Sequence, residues 1–452
     1  MINIFQKTYK TNQIKEIFWP IAISMILSQL ITFVDSAFIS NYSTSALAGI
    51  GIANQLRMCF GPMYYGVVSG IAIYTAQSTG SKNYIQMKYA FGLGFIILLV
   101  ISSIHALSVI LFHNQFVSFF VEPNSIIGTA AIDYLIYIVP TAFLMPMSMI
   151  FMFQFRALKM ARLTMYVSSG MALCNTILDI FLIYGVGSFP ELGTKGAAIA
   201  TTLSYMIFLS VYIIIAIKVR AEFISRPKYM FGFNKDFVKS VIKTIAPLIY
   251  IEFLFGFSRV LYTKMYVDLS VADYTVNLIA SNISLLVNFF VIATASTAGI
   301  IMGEALGRGD TKEIDDTKSE LHRFMYRHSL YILLFIVLIL PILIPLYTPN
   351  DIIIDHYYIK VYIVLIITGI YMAIRVHSST YVSILKSGGD TKAIIFADPA
   401  SSYLIGLPLT FIGLYFLGFN LIILKILWLA EIVGKYVFSK NRYNKNIWIR
   451  KV

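Results

Sequence analysis

Twelve apolar stretches divide the chain, near residues 17–40, 46–77, 88–112, 126–153, 163–185, 194–218, 241–266, 275–302, 325–348, 357–385, 392–415 and 419–438. A helix needs about 20 mostly apolar residues to cross a bilayer, and these runs supply that length. The intervals between them alternate in charge. Lys7, Lys10 and Lys15 precede the first run, and Lys82 and Lys88 follow the second. Arg156, Lys159 and Arg162 follow the fourth, and seven basic residues from Lys218 to Lys243 fill the central interval. Arg308 to Arg327, Lys386 with Lys392, and the tail from Lys440 to Lys451 continue the series. The other intervals carry Glu122, Glu191, Asp268, Asp273, Asp351 and Asp355, with Lys195, Lys264 and Lys360 as exceptions. Basic loops stay on the cytoplasmic side, so the pattern predicts an even number of spans with both termini cytoplasmic. The first run is too long for the apolar core of a signal peptide and is expected to be a retained helix.

The runs also repeat. The one shift that carries Pro20 onto Pro247 also carries Gly80 onto Gly307, Leu158-Lys159 onto Leu385-Lys386 and Thr164 onto Thr391. Six spans per half give both halves the same orientation, a parallel repeat about an axis along the membrane normal. The expected fold is an all-α integral membrane protein of twelve transmembrane helices in two pseudo-symmetric six-helix lobes. The expected organisation is a lobe at 1–218, a cytoplasmic linker at 219–240 and a second lobe at 241–452.

Composition agrees with this and removes other classes. The chain is 58% hydrophobic and 13% charged, where soluble domains carry about a quarter charged residues. The net charge of +13 is spread between apolar runs rather than gathered in a patch, which points to orientation signals and anionic lipid and away from nucleic acid. Cys59 and Cys174 both lie in apolar runs, and two cysteines support neither a disulfide framework nor a CxxC metal site. Gly307-Arg308-Gly309-Asp310 matches a protease GxGD motif only in letters, because Asp310 lies in a polar interval with no intramembrane Tyr-Asp partner. No phosphate loop, zinc motif or nucleophile elbow is present, so neither an enzyme nor an ATP-driven step is expected.

Ionisable residues inside spans are costly and are read as functional by default. Asp133, Arg259 and Lys425 lie near outer span ends and Asp398 near an inner one, where they can reach the interface. Asp35, Arg57, Asp179, Glu252, Arg375 and Glu431 lie deeper. Asn175 and Asp179 are four residues apart on one helix face. Counted from the span ends, Asp35, Asp179 and Thr201 share a depth, with Asn175 somewhat deeper. Two carboxylates, an amide and a hydroxyl form a hard oxygen set that suits Na⁺. They suit a proton equally, since two carboxylates in a low dielectric cannot both ionise cheaply. The counterparts of Asp35 and Asp179 at the repeat offset are Tyr262 and Gly406, so this set belongs to the first half alone. Gln29 and Asn54 are candidate polar contacts in a largely apolar cavity.

These residues carry a resemblance that extends over nearly the whole chain. PIAISMILSQLITFVDSAFI at 20–39, ALAGIGIANQ at 46–55, TAQSTGSKN at 75–83, FRALKMARLT at 155–164, NTILD at 175–179, LGTKGAAIAT at 192–201, GEALGRGD at 303–310 and LKSGGDTK at 385–392 resemble the multidrug and toxic compound extrusion (MATE) family. The resemblance implies a two-lobed exporter of amphipathic, often cationic compounds in exchange for H⁺ or Na⁺. It implies that Asp35, Asn175, Asp179 and Thr201 form the cation or proton site and that Pro20 lets the first helix bend. Glu252 matches an acidic position of the seventh helix. A second-lobe aspartate of one branch is replaced here by Ile384, with Arg375 and His377 in that span. Arg57 beside the first-lobe acids is unusual and is expected to modulate them. No cofactor beyond the transported ion is expected. The expected partners are small amphipathic molecules and membrane lipids, with no nucleic acid and no obligatory protein. The expected state is a monomer in the cell membrane. The alternative is a lipid-linked oligosaccharide or peptidoglycan-precursor flippase of the same superfamily, which twelve spans and the acidic first lobe disfavour and which Arg57 and Arg375 keep open.

Overall fold

Where they are described, the apolar runs fall almost wholly in helix, and the polar intervals supply the caps. The structure, a computed structural model, describes residues 9–269, 271–347, 357–390, 393–394, 397 and 399–449. The first helices are α1 (Tyr9–Tyr42), α2 (Thr44–Ser81), α3 (Tyr84–Ser118), α4 (Ile126–Ile138), α5 (Thr141–Ala157), α6 (Ala161–Tyr184) and α7 (Gly193–Lys218). A single turn, α8 (Pro227–Met230), leads to α9 (Lys235–Leu269), α10 (Val271–Arg308), α11 (Thr311–Tyr347) and α12 (Tyr357–Ser387). A π-helical turn (Ser401–Gly406) then runs into α13 (Leu407–Tyr415), followed by α14 (Leu421–Asn444). Ser43, Asn83, Ser125 and Asn420 accept hydrogen bonds from backbone N–H groups three residues on and cap α2, α3, α4 and α14. Left-handed residues end α2 at Lys82 (φ 58°) and α10 at Gly309 (φ 76°).

Helix bounds recur at the sequence offset. The shift that carries Pro20 onto Pro247 carries both ends of α2 onto those of α10, Thr44 onto Val271 and Ser81 onto Arg308. The left-handed residues that close them, Lys82 and Gly309, are related by the same shift. One expected span differs. Residues 126–153 form two helices, α4 and α5, bent by 53°. Pro140 stands at the break, where it has no N–H to continue the ladder. Its counterpart by offset is Ile367, inside the unbroken α12.

Among the described residues, six helices are long and apolar enough to cross a membrane, or seven with α4 and α5 as one bent span. Their outer faces are apolar. On α3, Val100, Ile104, Leu107 and Leu111 form an exposed stripe at helical spacing. Such a surface suits lipid and not water. The three basic exceptions in the acidic intervals each meet an acid. Lys195 pairs with Asp133 at 3.5 Å, Lys264 with Asp268 at 2.5 Å, and Lys360 with Asp273.

The described residues gather into two compact units, Ile23–Phe253 and the set Met1–Ala22 with Leu254–Val452. These bounds differ from the expected 1–218, 219–240 and 241–452. Both cuts fall inside a long helix, α1 or α9, shortly after Pro20 and Pro247. At 1.5 Å per residue, helices of 34 and 35 residues are about 50 Å long, well beyond the roughly 30 Å hydrocarbon layer. Such a helix has two ends free to pack separately. Phe18 of α1 packs edge-on against Phe324 and His328 of α11. In the other unit, Thr244 of α9 shares a hydrogen bond with Tyr74 of α2 at 3.1 Å, and Phe237 packs on Tyr89.

Two motifs serve packing. Arg156 is buried and donates from Nη2 to Ser24 Oγ at 2.8 Å and from Nε to Thr164 Oγ1 at 3.4 Å, tying α5 to α1 and α6. In the SGGD turn, Gly389 is left-handed (φ 69°), and Asp390 accepts two hydrogen bonds from Arg442 of α14, at 2.7 and 3.2 Å. A methyl at Gly388 would overlap the backbone oxygen of Trp448.

Candidate functional site

In the Ile23–Phe253 unit, α2, α4, α5, α6 and α7 surround a cavity of about 290 Å³. Close contact between α6 and α7 shapes one wall. Gly196 lies against the Leu182 carbonyl, where any methyl would collide. Leu192 N–H donates to the same carbonyl at 3.1 Å. The small residues of GAAIAT therefore let α7 approach α6, and Thr201 of α7 lines the same cavity as Asn175 and Asp179 of α6. Tyr184 of α6 donates to the Phe38 carbonyl of α1 at 2.7 Å, beside the same wall.

Asn175, Asp179, Thr201, Arg57 and Asn54 all line this cavity. Asn175 and Asp179 stand one turn apart on α6 and are 4% and 1% exposed. Thr201 Oγ1 donates to the Ala197 carbonyl of its own helix at 2.9 Å, which leaves its oxygen lone pairs as acceptors. Asn175 Nδ2 and Asn54 Oδ1 are buried with no hydrogen-bond partner among the described residues. Asn54 and Arg57 are three residues apart on α2 and share its inward face. The remaining wall is mostly apolar and aromatic, with Tyr134, Met149, Met152, Met171, Tyr205 and Phe208, and also carries Ser148 and Ser168. A carboxylate, an amide and a hydroxyl around one space can hold a proton or a hard cation. Methionine and aromatic walls adapt to amphipathic molecules of varied shape.

The other expected residues fall elsewhere. Asp35 and Gln29 lie on α1, and their side chains are outside the described residues. Pro20 is buried within α1 and belongs to the second unit. Glu252 is half-buried on α9 in the same unit as the cavity, and Arg375 on α12 belongs to the other. The Arg375 guanidinium lies 5.9 Å from the Phe255 ring centre. Sequence reasoning missed the wall residues Tyr205 and Tyr134. Tyr205 follows Thr201 by four residues, a spacing that could have drawn attention to it.

Comparison with known proteins shows what the chain is similar to. A family model described as MatE matches residues 20–181, which include α6 through Asp179. The uncharacterized transporter YisQ of Bacillus subtilis is 24% identical over 98% of this chain and 96% of its own length. The probable multidrug resistance protein NorM of Thermotoga maritima is 22% identical over 90% of this chain and 86% of its own. This chain is similar to transporters of the MATE family. The crystal structure of a D35N mutant of the Vibrio cholerae MATE transporter VcmN has the same fold, with a TM-score of 0.85, 18% identity and 97% of each chain covered. A MATE chain is a helical membrane protein, which accounts for the lipid-suited stripe on α3 and for apolar residues on so many helix surfaces.

Proposed function

We propose that this chain is a MATE transporter that exports amphipathic organic cations across the cell membrane and is driven by inward movement of H⁺ or Na⁺. One observation carries the reading: the buried Asp179 opens with Asn175 and Thr201 onto a cavity whose other walls are mostly methionine, aromatic and aliphatic side chains, with Arg57 and Asn54 among them. The multidrug resistance name of the NorM relative supports an amphipathic substrate. Coupling needs a site whose affinity for the driving ion differs between two states of the protein. Asp179 is that site in our reading, with Asp35 as its partner acid. Occupancy by the ion neutralises the acids, and α1 then bends near Pro20, where the ladder lacks one N–H. Bending shrinks the cavity and expels the drug outward, and release of the ion to the cytoplasm resets the cycle.

The reading includes twelve spans, two six-helix halves and cytoplasmic termini. Recurrence of the α2 bounds in α10 at the repeat offset supports it, as does pairing of the basic exceptions on the acidic side. Arg57 on the cavity wall favours a second reading, a flippase for an anionic lipid-linked sugar.

The test is efflux of a fluorescent organic cation from proteoliposomes under an imposed pH or Na⁺ gradient, for the wild type, Asp35→Asn and Asp179→Asn. Gradient-driven efflux that both variants lose supports the antiporter and names its ion. No efflux under either gradient, with labelled lipid moving between leaflets in its absence, favours the flippase. Efflux that survives in both variants contradicts the site.

A further inference from the structure

Glu431 lies within α14, 8% exposed, and the mechanism above leaves it unused. A buried carboxylate persists only when its oxygens are held. Here they are held from two other segments. Ser402 Oγ donates to Oε1 at 2.6 Å, and Tyr262 Oη of α9 donates to Oε2. Ser402 stands on the π-helical turn Ser401–Gly406. Turns of this kind concentrate at functional sites. Gly406 closes the turn, and a methyl there would overlap both the Tyr262 hydroxyl and the Glu431 carboxylate. Glycine therefore lets the two oxygens meet over the backbone.

The register gives this cluster its meaning. At the repeat offset, Tyr262 is the counterpart of Asp35, Ser402 of Asn175 and Gly406 of Asp179. The cluster is the second-half counterpart of the first-half ion site. Its acid comes from another helix, since the counterpart of Glu431 is Ser204, three residues after Thr201 on α7.

The geometry points to Glu431 as a second proton-binding carboxyl of this transporter, clasped by Tyr262 and Ser402. Its role in coupling rests on the transport reading above, whereas its protonation does not. Among the described residues, the titratable groups near it include Tyr266 of α9, Tyr371 of α12, and Lys425 and Lys435 of its own helix. Tyr371 stacks on Trp428 with centroids 3.7 Å apart, and the Lys425 ammonium lies 4.3 Å from the Tyr266 ring centre and 4.7 Å from that of Trp428. Arg259 of α9 and Arg375 of α12 both lie near the Phe255 ring. The oxygens packed closely over Gly406 leave room for a proton rather than a metal cation. When a proton binds, an O–H bond forms at Oε2, and that oxygen becomes a donor. Tyr262 Oη then has to accept where it had donated, and its own hydrogen must turn away. One proton thus rewrites the bond that ties α9 to α14, a two-state element of the kind that coupling requires.

Infrared difference spectra between acid and alkaline pH, on the full chain in lipid nanodiscs, test this directly. The expected result is a protonated-carboxyl band that is absent in Glu431→Gln, retained in Asp179→Asn and shifted in frequency in Tyr262→Phe. A spectrum unchanged by Glu431→Gln overturns the proposal. Should that variant not fold, Tyr262→Phe keeps the acid, and an unshifted band there overturns it equally. A band that Na⁺ abolishes at constant pH also overturns it, because the ligand is then the metal. The spectra need no substrate, so failure of drug efflux leaves the result standing. For the coupling role, gradient-driven efflux in Glu431→Gln should fall by about tenfold, within the ordinary range of coupling effects. Unchanged efflux would remove that role.

Discussion

The turns at Asn175–Asp179 and Ser402–Gly406 are related by the sequence offset that carries Pro20 onto Pro247, and they treat charge in opposite ways. In the first, a regular helical turn presents an amide and a carboxylate on one face, toward a cavity of about 290 Å³. In the second, a π-helical turn carries glycine where the first has aspartate, and a carboxylate from α14 is closed in by two hydroxyls. An acid that faces open space can exchange an ion and sense a large ligand. A clasped acid has room for a proton. The difference teaches that a repeat preserves a position more faithfully than it preserves the chemistry there.

The comparison can be broken at several points. The largest expected effect is on transport. Asp179→Asn should lower gradient-driven efflux by tenfold or more, about 1.4 kcal/mol or above in coupling, while thermal unfolding stays close to wild type. Next is Tyr262→Phe, which strips one donor from a buried carboxylate. Hydrogen bonds to charged groups contribute about 1.5–3 kcal/mol, and denaturant unfolding should show a loss of that order. Gly406→Ala follows. Alanine is the better helix former by about 1 kcal/mol, yet the added methyl should cost about 1–3 kcal/mol through overpacking. A stabilised Gly406→Ala protein would mean that Tyr262 and Glu431 do not meet over this glycine.

The smallest effect is a pH dependence at the polar end of α11, ahead of the apolar run that begins at 325. Burial, and then the neighbouring Lys440 charge, hold His322 below the ordinary imidazole value of 6.5. Its ring packs between Tyr381 and Tyr443, at 5.6 and 5.4 Å. The folded state resists the proton that the unfolded chain accepts. Stability from this group is therefore complete above pH 6.5 and is lost as pH falls below it. Unfolding midpoints measured across that range should flatten in His322→Gln.

Much of this was legible in the sequence. Apolar runs located the helices because membrane helices must be apolar along their length. Asn175 and Asp179 were legible as a pair because four residues return a helix to the same face. Arg57 could be assigned a depth but not a direction, since run length fixes no rotation about the helix axis. The break at Pro140 was hidden among other prolines, for Pro62 and Pro146 lie inside α2 and α5. The unit boundaries inside α1 and α9 leave no mark in hydropathy, which continues across both. Tyr262 and Gly406 were visible as repeat counterparts, but their meeting with Glu431 depends on packing between distant helices. Fold class thus followed from local pattern, and the second carboxylate cluster required tertiary structure.

The most direct test of the central claim is the affinity of the purified transporter for a fluorescent organic cation, with and without the driving ion. Binding of ion and drug at one cavity makes their affinities reciprocal. The account predicts that acid pH or Na⁺ weakens drug binding by about tenfold in the wild type, within the usual span of such couplings, and that Asp179→Asn binds equally under both conditions. Wild-type affinity indifferent to both ions, or a dependence that persists in Asp179→Asn, would contradict it.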